Sequence, residues 1–225
     1  MKKVALFVFA LALAGISFDA SAQKKETAAQ KAQREKTEAL QRELDALKND
    51  KTKAEQAAKK QAELTASFNE MIAGLPKEAE LIMGGHIQNE GDKMVVQVKP
   101  TLGTRGKSRR IEGFSVKIGE PALRDKLKVV YDANLSPSED SKKAKKENDC
   151  RTTKAGKDGE FAGSKGSACE IVGFRVSLEG EYAQYYTVKY KAHQAELGDS
   201  AEYKDGATCG GSKRIEEITI WVEKK

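Results

Sequence analysis

Apolar positions along this chain follow three patterns in succession. From Val4 to Gly15 they are nearly continuous; from Gln23 to about Leu75 they recur at helical spacing among Ala, Lys, Glu and Gln; after Pro76 they alternate in short runs separated by Gly, Asp, Asn and Ser. Gly74-Leu75-Pro76 is a helix stop, so the second pattern predicts one long helix over 23–75. A heptad frame puts Leu40, Leu47, Ala54, Gln61, Phe68 and Leu75 at d, with Thr37, Leu44, Lys51, Ala58, Thr65 and Ile72 at a. The seam is apolar at its ends and polar in its middle. It fits either a modest coiled coil that sets the oligomeric state or a single solvated spacer, and in both cases a stalk without chemistry.

The third pattern predicts strands, and it repeats. Residues 103–118 (GTRGKSRRIEGFSVKI), 163–178 (GSKGSACEIVGFRVSL) and 207–222 (ATCGGSKRIEEITIWV) align without a gap, and self-similarity at such a period predicts a repeated β-unit. Within each copy, alternation places Phe114, Val116 and Ile118, then Phe174, Val176 and Leu178, then Ile218, Ile220 and Val222 on one face, giving the expected core. Ile111, Ile171 and Ile215 fall on the opposite parity, so either a bulge intervenes or that face is covered too. Glycines 106, 166 and 210 share an aligned column, which predicts positive φ or a close backbone approach. Extending upstream gives repeats at about 81–121, 125–181 and 185–225 in a domain over 77–225. The middle repeat carries a polar insertion from Ser136 to Asp158, which reads as a flexible surface loop.

Charge and cysteine content narrow the class. Met1-Lys2-Lys3, the short apolar run and Ala20-Ser21-Ala22 together read as a signal peptide over 1–22, so we expect a secreted or periplasmic protein, with attachment at the cell surface an open alternative. Its removal lowers the formal charge from +6 to +5, mildly basic and without a nucleic-acid signature. No later stretch is apolar and long enough for a membrane span. Cys150, Cys169 and Cys209 allow at most one internal bridge. Cys150 with Cys169 is the expected pair, since it would staple the insertion to its own repeat; Cys169 with Cys209 stays open, and a leftover Cys209 would be available for pairing between chains.

The segment His86-Ile87-Gln88-Asn89, followed by Gly103-Thr104-Arg105-Gly106-Lys107-Ser108-Arg109-Arg110-Ile111-Glu112, resembles the clostridial hydrophobic W repeat of exported proteins. That family's units carry a Y-x-A-H-V-Q-N segment and a G-T-x-G-x-S-x-R-x-E-A-I ending. The third copy keeps Tyr190, Ala192, His193, Gly210, Ser212, Arg214 and Glu216, and the second keeps Tyr131, Ala133, Gly163 and Gly166. The Gly-Trp that follows Q-N in the family is missing from every copy; the first reads Glu90-Gly91-Asp92, and Trp221 lies on the last strand. The tail of each unit, best from Gly159 to Leu178, is also similar to a jacalin-type lectin repeat. That resemblance implies three sheets arranged as a triangular β-prism, with a β-trefoil as the competing architecture. The jacalin sugar aspartate has no counterpart here: Glu112, Val172 and Glu216 stand nearby without matching.

Catalytic motifs are not found. Gly106-Lys107-Ser108 ends like a P-loop, but Thr101 stands where its first glycine belongs and a strand follows. His86 and His193 occupy equivalent places in separate repeats and would not converge on one metal. No catalytic residue, metal or cofactor is therefore assigned, and the expectation is a non-enzymatic binding protein. Exposed turns are where a β-scaffold presents ligand contacts. The candidates are His86, Gln88, Asn89 and Asp92, with Arg105, Lys107 and Arg109 as donors beside them, and His193 and Gln194 in the third unit. The expected partner is carbohydrate or an envelope polymer; a structural or adhesive protein making protein contacts is the alternative.

Overall fold

The computed structural model describes residues 28–48 and 54–225, so the signal-peptide segment lies outside the described residues. Where one long helix is expected over 23–75 there are two, α1 (Ala28–Lys48) and α2 (Ala54–Ala73). They run antiparallel against each other. Near one end Gln33 Nε2 donates to Ser67 Oγ at 2.9 Å, and near the other Lys60 meets Glu43 at 2.5 Å. Leu40 and Leu44 of the expected seam are buried, but Ala58, Gln61 and Thr65 of the same frame are exposed. Buried Ser67, with part-buried Ala57, Lys60, Leu64 and Phe68, forms the inner stripe of α2 instead. Folding back lets two short apolar stripes cover each other within one chain. The base of this hairpin is fastened to the β-domain. Lys224 Nζ donates to the last carbonyls of α2, at Ile72 and Ala73, where the helix dipole favours a cation. Phe68 packs on Tyr185, and Tyr186 Oη donates to Pro76 O at 2.6 Å.

The rest is mainly β. The first segment holds β1 (Leu81–Ile87), β2 (Gly91–Gln97), β3 (Thr101–Gly103) and β4 (Ile111–Ile118). The second holds β5 (Lys128–Pro137), the short helix α3 (Glu139–Lys143), β6 (Thr153–Lys157), β7 (Ala162–Gly163) and β8 (Cys169–Glu179). The third holds β9 (Tyr186–Gln194), β10 (Gly198–Asp199), β11 (Tyr203–Lys204), β12 (Cys209–Gly210) and β13 (Ile215–Lys224). They make three antiparallel sheets, none of them closed: β2-β1-β4-β7, β12-β8-β5-β6 and β10-β9-β13-β3, with β11 also on β9. Each sheet takes its long strands from one segment and one short edge strand from another. β7 of the second segment joins the first sheet, β12 of the third joins the second, and β3 of the first joins the third.

The alternating residues face inward as expected. Phe114, Val116, Ile118, Phe174, Val176, Ile218, Ile220 and Val222 are buried, and Leu178 packs partly buried against them. Phe114 meets Phe174 edge-on at 5.7 Å, and Tyr131 and Tyr190 flank the pair at 5.1 and 5.4 Å. A register shift next to Ile111, Ile171 and Ile215 in each long pair marks the bulge that reverses their parity, and all three are buried. The gapless alignment needs one correction. Gly210 pairs with Gly173 as Gly103 pairs with Glu217 and Gly163 with Gly113. Gly210 is therefore the counterpart of Gly103 and Gly163, not of Gly106 and Gly166, and the turn after it is shorter. The insertion is also more ordered than a plain loop. Ser138 caps α3, its Oγ donates to Ala168 O at 2.6 Å, and Cys150 is disulfide-bonded to Cys169. Cys209 is free but fully buried, so it is not placed for pairing between chains.

Candidate functional site

Strand direction separates the two ends of the β-domain. Leu81, opposite Ile118 and Gln97, starts β1 near the helical hairpin, where Ala79 N donates to Val222 O; Ile87, opposite Ile111 and Gly91, ends it about 20 Å away. The same direction in β5 and β9 carries Asn134 and His193 to that far end. All the candidate turn residues therefore gather away from the helices.

They form two clusters. In the first, His86 Nδ1 lies 2.7 Å from Asp92 Oδ1 across the β1–β2 hairpin, while Lys165 Nζ sits 2.5 Å from Asp92 Oδ2. In the second, His193 Nδ1 lies 2.7 Å from Asp199 Oδ1, Arg105 donates to Asp199 Oδ2 at 3.0 Å, and Arg105 Nε donates to Glu217 at 2.8 Å. The cation in each case lies two residues after the exchanged strand of another segment. Lys165 and then His86 hold the Asp92 carboxyl below its ordinary range; His193 and then Arg105 do so for Asp199. In the second sheet the matching places are taken by Asn134 and Thr153, with Thr153 Oγ1 donating to Asn134 Oδ1 at 2.7 Å. A neutral pair stands there without a charged partner.

The predicted set is thus divided. Arg105, expected beside His86, belongs to the His193 cluster, because β3 crosses to the third sheet. Gln88 hydrogen-bonds Asp140 at 3.2 Å, next to buried Arg110, which also pairs with Glu112 at 2.9 Å and Asp140 at 2.7 Å. Arg109 pairs with Glu90. Asn89 is exposed in the hairpin turn with φ of 63°, and Lys107 is exposed in the turn after β3. Gln194 is buried, so it does not meet a ligand arriving from solvent.

Four contributors escaped the sequence. Asp199 follows Gly198 as Asp92 follows Gly91, each six residues after its histidine, so the repeated spacing was the available signal. Lys165 stands in the aligned column of Arg105. Phe161 and Gly113 gave no signal in one dimension. Phe161 is 40% exposed and immediately precedes β7, and its ring occupies the space over Gly113, where an added Cβ would lie 2.2 Å from Phe161 Cζ. Gly113 is the residue directly opposite His86.

Residues 86–119 match the family model described as Clostridial hydrophobic W. No curated protein and no solved structure matches the chain. The hydrophobic W match begins at His86 and ends just after β4, so it contains His86, Asp92 and Gly113 of the first cluster. The histidine at the head of the match is hydrogen-bonded to Asp92 within it. Trp221 is remote from that position, buried on β13 with Lys99 Nζ 3.7 Å from its ring centroid.

Proposed function

We propose that this is an exported, non-enzymatic binding protein of the cell envelope whose three-repeat β-prism recognises carbohydrate or an envelope polymer. The observation that carries this reading is the gathering of exposed His–Asp–cation clusters at the end of the β-domain away from the helices. The family match supports a repeat-containing cell-surface protein. Asp92 and Lys165 balance in charge in the first cluster, and the second sets two carboxylates, Asp199 and Glu217, against Arg105, which suits hydroxyl-bearing ligands better than nucleic acid. The experiment is a glycan and envelope-polymer array with the purified protein lacking residues 1–22. Saturable binding competed by free sugar is the expected result, and an array silent throughout overturns the reading. A second reading, adhesion through protein contacts, is favoured by one feature: Met94, Val96 and Val98 are exposed along or just beyond β2, which among the described residues has no neighbour on its outer edge. Capture that free sugars do not compete would favour it.

A further inference from the structure

The two clusters are not equivalent, and the difference assigns a ligand site to one of them. Beside His193 and Asp199, the place opposite the histidine is filled by Glu217, whose carboxylate is taken up by Arg105. Beside His86 that place is Gly113, and the ring of Phe161 covers it. Residues directly opposite on one face of an antiparallel pair stand about 5 Å apart at Cβ, so the Phe161 ring borders the His86 side chain. The outer face of the first sheet therefore carries a half-exposed aromatic ring next to an imidazole, a carboxylate and an ammonium group. The carboxylate of Asp92 is fixed by two partners yet is 63% exposed, and Lys165 uses one of its three donors on it.

We propose that Phe161, His86, Asp92 and Lys165 form a binding site for one neutral pyranose ring, the apolar C–H face lying on Phe161 and two adjacent hydroxyls meeting Asp92 and Lys165. A sugar ring presents that combination of one apolar face and a polar edge, and an aromatic ring with a donor–acceptor pair at its border matches it. Asp92 accepts from one hydroxyl and Lys165 donates to its neighbour, while His86 orients Asp92. Lys165 is already paired with Asp92, and Arg110 with Glu112, so among the described residues no unpaired cation is left beside Asp92 to offset the charge of a uronate or phosphate, and the ligand is neutral. The site is composite: Phe161 and Lys165 flank the strand that the second segment lends to the first sheet. This inference rests on the carbohydrate reading above.

The test titrates neutral tetrasaccharides of glucose, mannose and N-acetylglucosamine, with a uronate tetrasaccharide beside them, into the protein lacking residues 1–22. One site per chain is expected for a neutral tetrasaccharide. Phe161→Ala and Asp92→Asn should each weaken it at least tenfold, whereas Glu181→Gln, at an exposed pair with Lys126 near the helical hairpin, should leave it unchanged. Phe161→Trp keeps a ring; it should retain the affinity and report binding by a fluorescence change, so a folding defect in the alanine variant leaves the proposal falsifiable. Binding that Phe161→Ala and Asp92→Asn leave intact, or that Glu181→Gln weakens equally, overturns the site while sparing the wider reading. So does binding of the uronate alone, or of polymer without any tetrasaccharide. An array silent for every glycan and polymer removes both.

Discussion

Gly163 has φ of 146°, and a Cβ there would stand 2.2 Å from Gly113 Cα, whereas Gly106 has φ of 68° with open space around its would-be Cβ. The two glycines look alike in the sequence but answer different needs: one lets the exchanged strand approach its host, the other only turns the chain. Gly163→Ala should cost about 3 kcal/mol, combining backbone strain with a clash that neither strand can relieve. Gly106→Ala should cost about 1 kcal/mol, from the left-handed backbone alone. Denaturant unfolding of both variants checks the contrast, and equal losses would contradict it. Cys209 belongs at this scale too. Burial pushes its thiol up from the ordinary range, so a thiol-directed reagent should label the native protein slowly and the unfolded protein at once.

At the scale of elements, the sequence was most legible where periodicity met an unambiguous partner. Eight of the nine alternating residues on β4, β8 and β13 lie in the core, with Leu178 packed against it, because a period of two sets them all on one face of their strands. The helical region was less legible, since a heptad pattern states that an apolar stripe needs a cover but not whether the cover is another chain or the same chain returning. Here Leu44 on α1 finds it within the hairpin. The site was legible in part. His86 and Asp92 are neighbours across one hairpin, but Lys165, Phe161 and Arg105 reach their places only through strand exchange, a long-range pairing that spacing does not encode. The insertion was legible in its anchor and not in its order: the bond between Cys150 and Cys169, 19 residues apart, ties it to β8 as expected, while its polar composition reads as solvated and gives no sign of α3 or of the contact from Ser138 to Ala168. Replacing both cysteines with serine should cost about 3 kcal/mol through the loop entropy returned to the unfolded chain. Urea unfolding of that variant, compared with the wild type under non-reducing conditions, measures it.

For the whole molecule, the cyclic loan of β3, β7 and β12 means that no segment completes its own sheet, so the three should unfold together rather than in turn. Two of the three loans are latched by charge: Lys165 to Asp92 at the first sheet and Arg105 to Asp199 at the third. The second sheet has Asn134 and Thr153 in that place and no charged latch. Because both Asp92 and Asp199 are held below their ordinary value of 3.8 in the folded protein, the latches add stability only while the carboxylates are ionised. That contribution is complete above the unfolded value, near pH 4, and disappears as pH falls through the lower folded values. At the alkaline side the sign reverses for Tyr186, whose hydroxyl is pushed up by burial to about 12; its contribution is whole below pH 10 and lost between there and 12. Thermal unfolding of the wild type and of the double variant Asp92→Asn, Asp199→Asn therefore separates the two effects. The wild type should melt higher at pH 7, and the gap should close as the pH is lowered toward about 2. Both proteins should lose stability together above pH 10, with tyrosinate absorbance rising in step, because the asparagines leave Tyr186 and its bond to Pro76 untouched. A gap that persists at acid pH would mean that the two aspartates act through packing rather than through charge.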